Sequence, residues 1–184
     1  MLSLRLPLAT LALLLTLAPM IPVQAGRIDA GTIEVGVDMA LDFNGANGTT
    51  YSGDLRGGYF LVDGVLAGGR LGFRTDDDWT GFGLHAYLEQ HFETDTPWIP
   101  YVGGSLGFEY CSYEYRADNV KVSESENALV LGLTAGVKFF ITETTALDLG
   151  LALDIASEDI YHASDGDGDN VDATLGLGLR FFLF

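Results

Sequence analysis

Between residues 31 and 43 the chain reads GTIEVGVDMALDF, and apolar and polar positions alternate along it. Ile33, Val35, Val37, Met39, Leu41 and Phe43 share one face; Glu34, Gly36, Asp38, Ala40 and Asp42 share the other. A period of two is that of a β-strand, whose successive side chains point to opposite faces. The same period returns over residues 54–62, 65–75, 79–92, 98–115, 127–141, 145–156 and 171–184. The pattern therefore predicts eight strands, each near the ~9–11 residues that a tilted strand needs to cross a bilayer.

The connections between these strands differ in kind. Asp63-Gly64 is a two-residue hairpin signal, and residues 93–97 and 142–144 are also short. Residues 44–50, 75–78, 116–126 and 157–170 read as longer polar loops. Short turns on one rim and long loops on the other are the pattern of a membrane barrel. A water-soluble barrel shows the same alternation with its apolar face turned inward, so alternation alone leaves the two open.

The charges distinguish them. Arg56, Arg70, Arg74, Lys138 and Arg180 all fall mid-strand on the face without leucines. Glu34, Asp38, Glu89, Glu109, Asp148 and Asp154 share that face, with most of the strand glycines. Glycine beside paired charges suits a narrow polar lumen, so these eleven residues are expected to form a structural charge network inside the barrel. The opposite face, of leucine and valine with no mid-strand charge, suits lipid, where a central arginine costs about 2–4 kcal/mol. Tyr59, Trp79, Phe92, Trp98, Phe139 and Phe181 lie near strand ends, where interfacial aromatic girdles belong.

Composition narrows the setting. The chain has 184 residues, 48% of them hydrophobic, with 24 glycines and a formal charge of −17. Residues 1–25, MLSLRLPLATLALLLTLAPMIPVQA, read as a signal peptide: one cation (Arg5), a short apolar stretch, and small residues at Val23 and Ala25. That leaves residues 26–184 as one barrel domain. The strong acidity argues against nucleic acid as a partner. Cys111 is the only cysteine, which excludes an intramolecular disulfide framework.

WIPYVGGSLGFEY (98–110), GVKFFITETTALDLGLAL (136–153) and the terminal GLRFFLF together resemble the OmpA-like family of eight-stranded outer-membrane β-barrels. The resemblance covers residues 26–184. It implies an all-β, antiparallel, up-and-down barrel in the outer membrane of a Gram-negative bacterium, with both termini periplasmic. Its partners would be outer-membrane lipid and lipopolysaccharide, with the barrel-assembly machinery and periplasmic chaperones acting during biogenesis. Gly178, Phe181, Phe182 and Phe184 resemble the C-terminal signal read by that machinery. Leu179 stands where such signals usually keep a glycine, and Gly178 lies one residue earlier.

Such barrels include structural anchors, adhesins, small pores and a few lipid-modifying enzymes, so the fold does not give the function. SDGDGDNVD (164–172) sets Asp165, Asp167 and Asp169 at alternate positions, as in the first half of a calcium loop. Asn170 and Gly176 occupy the places of that motif's glycine and final glutamate, so a solvated acidic loop is the expected reading. Asp76, Asp77 and Asp78 read as turn residues. His85, Glu89 and His91, with Ser105 and Glu109 on the next strand, supply the residue types of a hydrolase. Their predicted faces point into the lumen, away from lipid substrate. Cys111 has no clear basic neighbour to activate it. The expectation is a non-enzymatic structural or surface-interaction protein without a cofactor. A small porin or solute channel is the alternative, and a lipid-modifying enzyme comes third.

Overall fold

The computed structural model describes residues 28–45, 48–75, 79–117, 120–162 and 168–184. Eight antiparallel strands close into one barrel: β1 (Ile33–Gly45), β2 (Gly48–Val62), β3 (Val65–Thr75), β4 (Trp79–His91), β5 (Trp98–Ala117), β6 (Val120–Thr142), β7 (Thr145–Ala156) and β10 (Val171–Leu183). Each pairs with its neighbours in chain order, and closure joins β1 to β10 in the register Ile33↔Leu183 through Met39↔Leu177. Two short segments, β8 (Tyr161–His162) and β9 (Gly168–Asp169), pair with each other in the connection between β7 and β10. The expected signal peptide, residues 1–25, lies outside the described residues, as do Asp76, Asp77, Asp78, Asp165 and Asp167.

Alternation sorts the two faces. On β4, His85, Glu89 and His91 are buried while Phe82, Leu84 and Leu88 on the opposite face are exposed. Leu131, Leu151 and Leu177 on three successive strands are likewise exposed, and Asp154 and Arg180 beside them point inward. The turn at Asp63-Gly64 is two residues long, and Gly64 has φ 73°, a left-handed conformation that glycine adopts without a Cβ penalty. In the lumen, glycine makes room for the ions. A Cβ on Gly36 would stand 2.7 Å from Cδ of Arg180, so that side chain crosses the barrel only because Gly36 has none.

The lumen is layered along its axis. At the rim of short turns, Ile28, Phe60, Leu66, Tyr87, Ile99, Phe140, Ala146 and Phe182 form an apolar floor. The Phe140 and Phe182 rings lie 4.8 Å apart and those of Phe60 and Phe182 6.5 Å. Phe60, Leu66, Phe140 and Phe182 occupy the same strand faces as the lumen charges, one or two positions from the strand ends. At the opposite rim Ile160 and Tyr161 turn inward onto Cys111, Ala128, Val130 and Ala156. That connection is tied down where Ser157 N–H donates to the Leu129 carbonyl (2.9 Å) and Leu129 N–H donates to Ser157 Oγ (3.1 Å). Between the two apolar layers lie the charges.

Three expected loops are shorter than their sequence suggests. The segment 116–126 is not a loop: β5 runs to Ala117, β6 starts at Val120, and Ala117 pairs with Val120. The alternation of VKVSES, with two β-branched valines, carries β6 outward there. Of residues 44–50, only those between Gly45 and Gly48 fall outside strands. The connection 157–170 holds the β8–β9 pair. As a result β5 and β6 rise beyond their neighbours. Pairing of β4 with β5 ends at Trp79↔Tyr113, and pairing of β6 with β7 ends at Val130↔Ala156.

Candidate functional site

Six of the strands deliver one or two ions each to the lower lumen. Glu34 from β1 sits at the centre, fully buried. The ammonium of Lys138 (β6) donates to Glu34 Oε2 and lies 3.6 Å from Glu89 Oε2. Arg56 (β2) donates to Glu89 Oε1 at 2.6 Å and has its Nε 3.5 Å from Glu34 Oε1. Arg180 (β10) joins Asp38 and Asp148, each at 2.6 Å, and its Nε is also 3.5 Å from Glu34 Oε1. The Tyr101 hydroxyl donates to Asp148 at 3.0 Å, and the Tyr87 ring lies under the Arg56 guanidinium at 4.3 Å. Every ion here has at least one close partner of opposite sign. Such pairing is what lets charges survive burial, because an ion left alone there is far costlier than a pair.

Towards the long-hairpin rim the spacing loosens. Arg74 binds Asp172 at 2.8 Å, and Thr174 Oγ1 donates to the same carboxylate at 2.9 Å. His85 Nε2 is 3.2 Å from Glu109 Oε1. Arg70 is 3.9 Å from Asp154, too far for a hydrogen bond. Arg70 and Arg74 do not reach Glu34, Asp38 or Glu89: their partners are Asp154 and Asp172. The reason is axial position, since strand tilt places these arginines a layer above Glu34. Arg56, one layer lower, does meet Glu34 and Glu89. A cavity of about 100 Å³ lies beside Arg70, Asp54 and Asp154. An adjoining one of about 30 Å³ shares Asp54, Arg70 and Arg74 with it and reaches His85 and Glu109.

Tyr161 closes this layer from above, its ring 5.4 Å from the Arg74 guanidinium. Burial, reinforced by Glu109 and Asp154, raises its phenol pKa above the ordinary value, so the hydroxyl keeps its proton.

The structure thus gathers all eleven charged residues singled out from the sequence inside one lumen. Sequence reasoning missed Asp54, Asp172, Tyr101 and the apolar floor. Asp172 was legible: it shares the face of Thr174, Gly176, Gly178 and Arg180. The hydrolase-like residues form two separate pairs, His85 with Glu109 and His91 with Glu89 (3.6 Å), rather than a relay. Among the described residues no three His, Cys, Asp or Glu side chains gather as metal ligands. Of the C-terminal residues, Gly178 faces the lumen against Asp38 and Arg180 and Phe182 is buried in the floor, while Phe181 and Phe184 are exposed.

A closed eight-stranded meander with a leucine exterior and an ionic interior is what a membrane barrel requires. The family model described as outer membrane protein beta-barrel domain matches residues 9–181. The chain belongs to that family.

Solved structures agree on the architecture. The N-terminal β-barrel domain of Pseudomonas aeruginosa OprF matches with a TM-score of 0.55 and 19% identity, over 84% of this chain and 98% of that one. Neisserial surface protein A matches with a TM-score of 0.56 and 17% identity, over 82% and 95%. The attachment invasion locus protein Ail of Yersinia pestis matches with a TM-score of 0.50 and 15% identity, over 84% and 99%. At these identities the likeness is one of fold. No curated protein matches the chain. For an outer-membrane barrel, the exposed leucines face lipid and the Trp98–Phe139 ring pair, 4.5 Å apart, stands at one edge of that belt.

Proposed function

We propose that this outer-membrane barrel is a structural and surface-interaction protein that neither conducts nor catalyses. One observation carries the reading: the lower lumen is filled by ions paired at 2.6 Å and sealed beneath by the Phe60, Phe140 and Phe182 rings. An eight-stranded interior is only wide enough for its own side chains, and here they occupy it. The surface role is supported by the β5–β6 hairpin, which extends past both neighbouring strands. The proposed orientation puts the termini and short turns in the periplasm of a Gram-negative bacterium and the hairpin outside, with lipid and lipopolysaccharide around the belt. In this reading Gly178, Phe181, Phe182 and Phe184 serve as the signal for the assembly machinery and its periplasmic chaperones.

A small channel is the second reading, favoured by the cavities beside Arg70. Planar-bilayer recording of the refolded protein separates the two. A closed lumen gives a silent bilayer; steady, ion-selective openings from the wild-type protein overturn the structural reading. Lipid modification ranks below both, because His85, Ser105 and Glu109 lie on lumen faces rather than on the lipid face.

A further inference from the structure

The closing seam is zipped in its lower half only. β1 and β10 pair from Ile33↔Leu183 to Met39↔Leu177, and among the described residues no further pair joins them. Both strands nevertheless continue, β1 up to Gly45 and β10 from Val171. Each stays paired on its other side, β1 with β2 to Gly45↔Gly48 and β10 with β7 to Val171↔Ile155. The two walls are therefore intact, and the seam between them is open above Met39. The outward residues of this part of β10, Val171, Ala173 and Leu175, are apolar and exposed, so the opening lies in the lipid belt. Backbone groups without a strand partner are costly at that depth.

The opening leads inward. The cavity of about 100 Å³ is lined from β1 and β2 by Met39 and Ser52, and from β7 and β10 by Leu151, Thr174 and Gly176, so it spans both walls of the seam. Met39 and Leu151 belong to the outer face, 68% and 56% exposed. A Cβ on Gly176 would meet no atom within 4 Å, whereas on Gly36 or Gly178, lower on the same seam, it would strike Arg180. The inner end of the cavity is ionic and balanced, with four carboxylates and four guanidiniums. A ligand of single charge would upset that balance in a low-dielectric lumen, and one carrying both charges would not. Arg70, 3.9 Å from Asp154, is too far from it for a hydrogen bond, so its fork can donate to a phosphate. Asp54, lining the same cavity, can accept from an ammonium.

We propose that the upper β1–β10 seam is a lateral portal for a membrane amphiphile with a compact zwitterionic headgroup. The headgroup enters the cavity sideways, its phosphate at Arg70 and its ammonium at Asp54. Its acyl chain lies in the seam against Met39 and Leu175, at the depth of the surrounding lipid. The floor stays sealed beneath, so the site goes beyond the structural reading and requires no conduction.

The test is an NMR titration with lysophosphatidylethanolamine of the protein folded in dodecyl maltoside, an uncharged detergent. Saturable shifts of the Asp54, Arg70 and Gly176 amides are expected. Gly176→Val, which fills the opening where a side chain meets nothing, should weaken binding at least tenfold and leave the barrel heat-modifiable. Arg70→Gln should weaken binding severalfold, and Asp63→Asn, at the far rim, should leave it unchanged. Phosphoethanolamine without a chain, dodecyl phosphate and dodecylamine should each bind at least tenfold more weakly. Amide exchange tests the seam without any variant: the β10 amides that face β1 should exchange faster at residues 172–176 than at 177–182. Absence of saturable shifts in the wild type overturns the proposal. So does undiminished binding by Gly176→Val, equal binding of any of the three simpler probes, or uniform protection along that edge of β10.

Discussion

Lys138→Met tests the lower network most directly. The side chain of Lys138 is fully buried, and its ammonium is shared by Glu34 and Glu89, whose side chains are 0% and 2% exposed. Methionine keeps the length of the stem and removes the charge. Glu89 then retains Arg56 at 2.6 Å, whereas Glu34 keeps only the two guanidinium Nε atoms of Arg56 and Arg180, each 3.5 Å away. Breaking a buried pair costs about 3–5 kcal/mol, and the surviving contacts put this variant near the lower end, about 3 kcal/mol. Arg70→Ala provides the contrast. Its carboxylate is 3.9 Å off and its side chain is 22% exposed, so the loss should stay below about 1 kcal/mol. Urea titration in lipid vesicles, read by the fluorescence of Trp79 and Trp98 and by the electrophoretic shift of folded against heated protein, measures both. Adding Glu34→Gln to Lys138→Met should recover part of the loss, because the stranded carboxylate is gone. Lys138→Met within about 0.5 kcal/mol of wild type, or Arg70→Ala as costly as Lys138→Met, would refute the layering on which these magnitudes rest.

Two further outcomes follow from the outer face and the closing seam. Arg at Leu131, Leu151 or Leu177, each more than half exposed to lipid, should cost about 2–4 kcal/mol near mid-bilayer; wild-type folding yield in vesicles for all three would reverse the face assignment. Deleting residues 181–184 removes the Ile33↔Leu183, Glu34↔Phe182 and Val35↔Phe181 pairs and the buried Phe182 ring, leaving a seam open to lipid. The truncated chain should cross the inner membrane and fail to assemble, and a normal amount of heat-modifiable barrel in outer-membrane fractions would refute this.

Strand number, face assignment and most of the lumen ions were legible because a half-buried sheet imposes a period of two on everything it contains. Leu131 and Gly132, or Leu153 and Asp154, differ by one position and point to opposite solvents. The pairings were not legible. They depend on height along the barrel axis, which strand tilt sets and alternation does not record, so Arg56 and Arg70 look equivalent in sequence yet lie in different layers. Boundaries failed for a related reason. Polarity was read as the end of a strand at residues 116–126, yet a backbone ladder needs no apolar face to continue, and this one runs on to Ala117↔Val120.

The floor was the least legible feature and changes the reading most. Phe60, Leu66, Phe140 and Phe182 sit on the polar parity, where each taken alone looks like an irregularity. All four lie near strand ends on the same rim, and together they cover the ions above them. Excluding water from one side of Glu34 and Lys138 strengthens their attraction and raises the cost of separating them. At the other end Arg70 and Asp54 lie beside open cavity, and Arg70 is 3.9 Å from Asp154, so pairing there is looser. The sealed ionic layer in the lower half fixes the closure of β1 on β10 through the pair of Arg180 with Asp38.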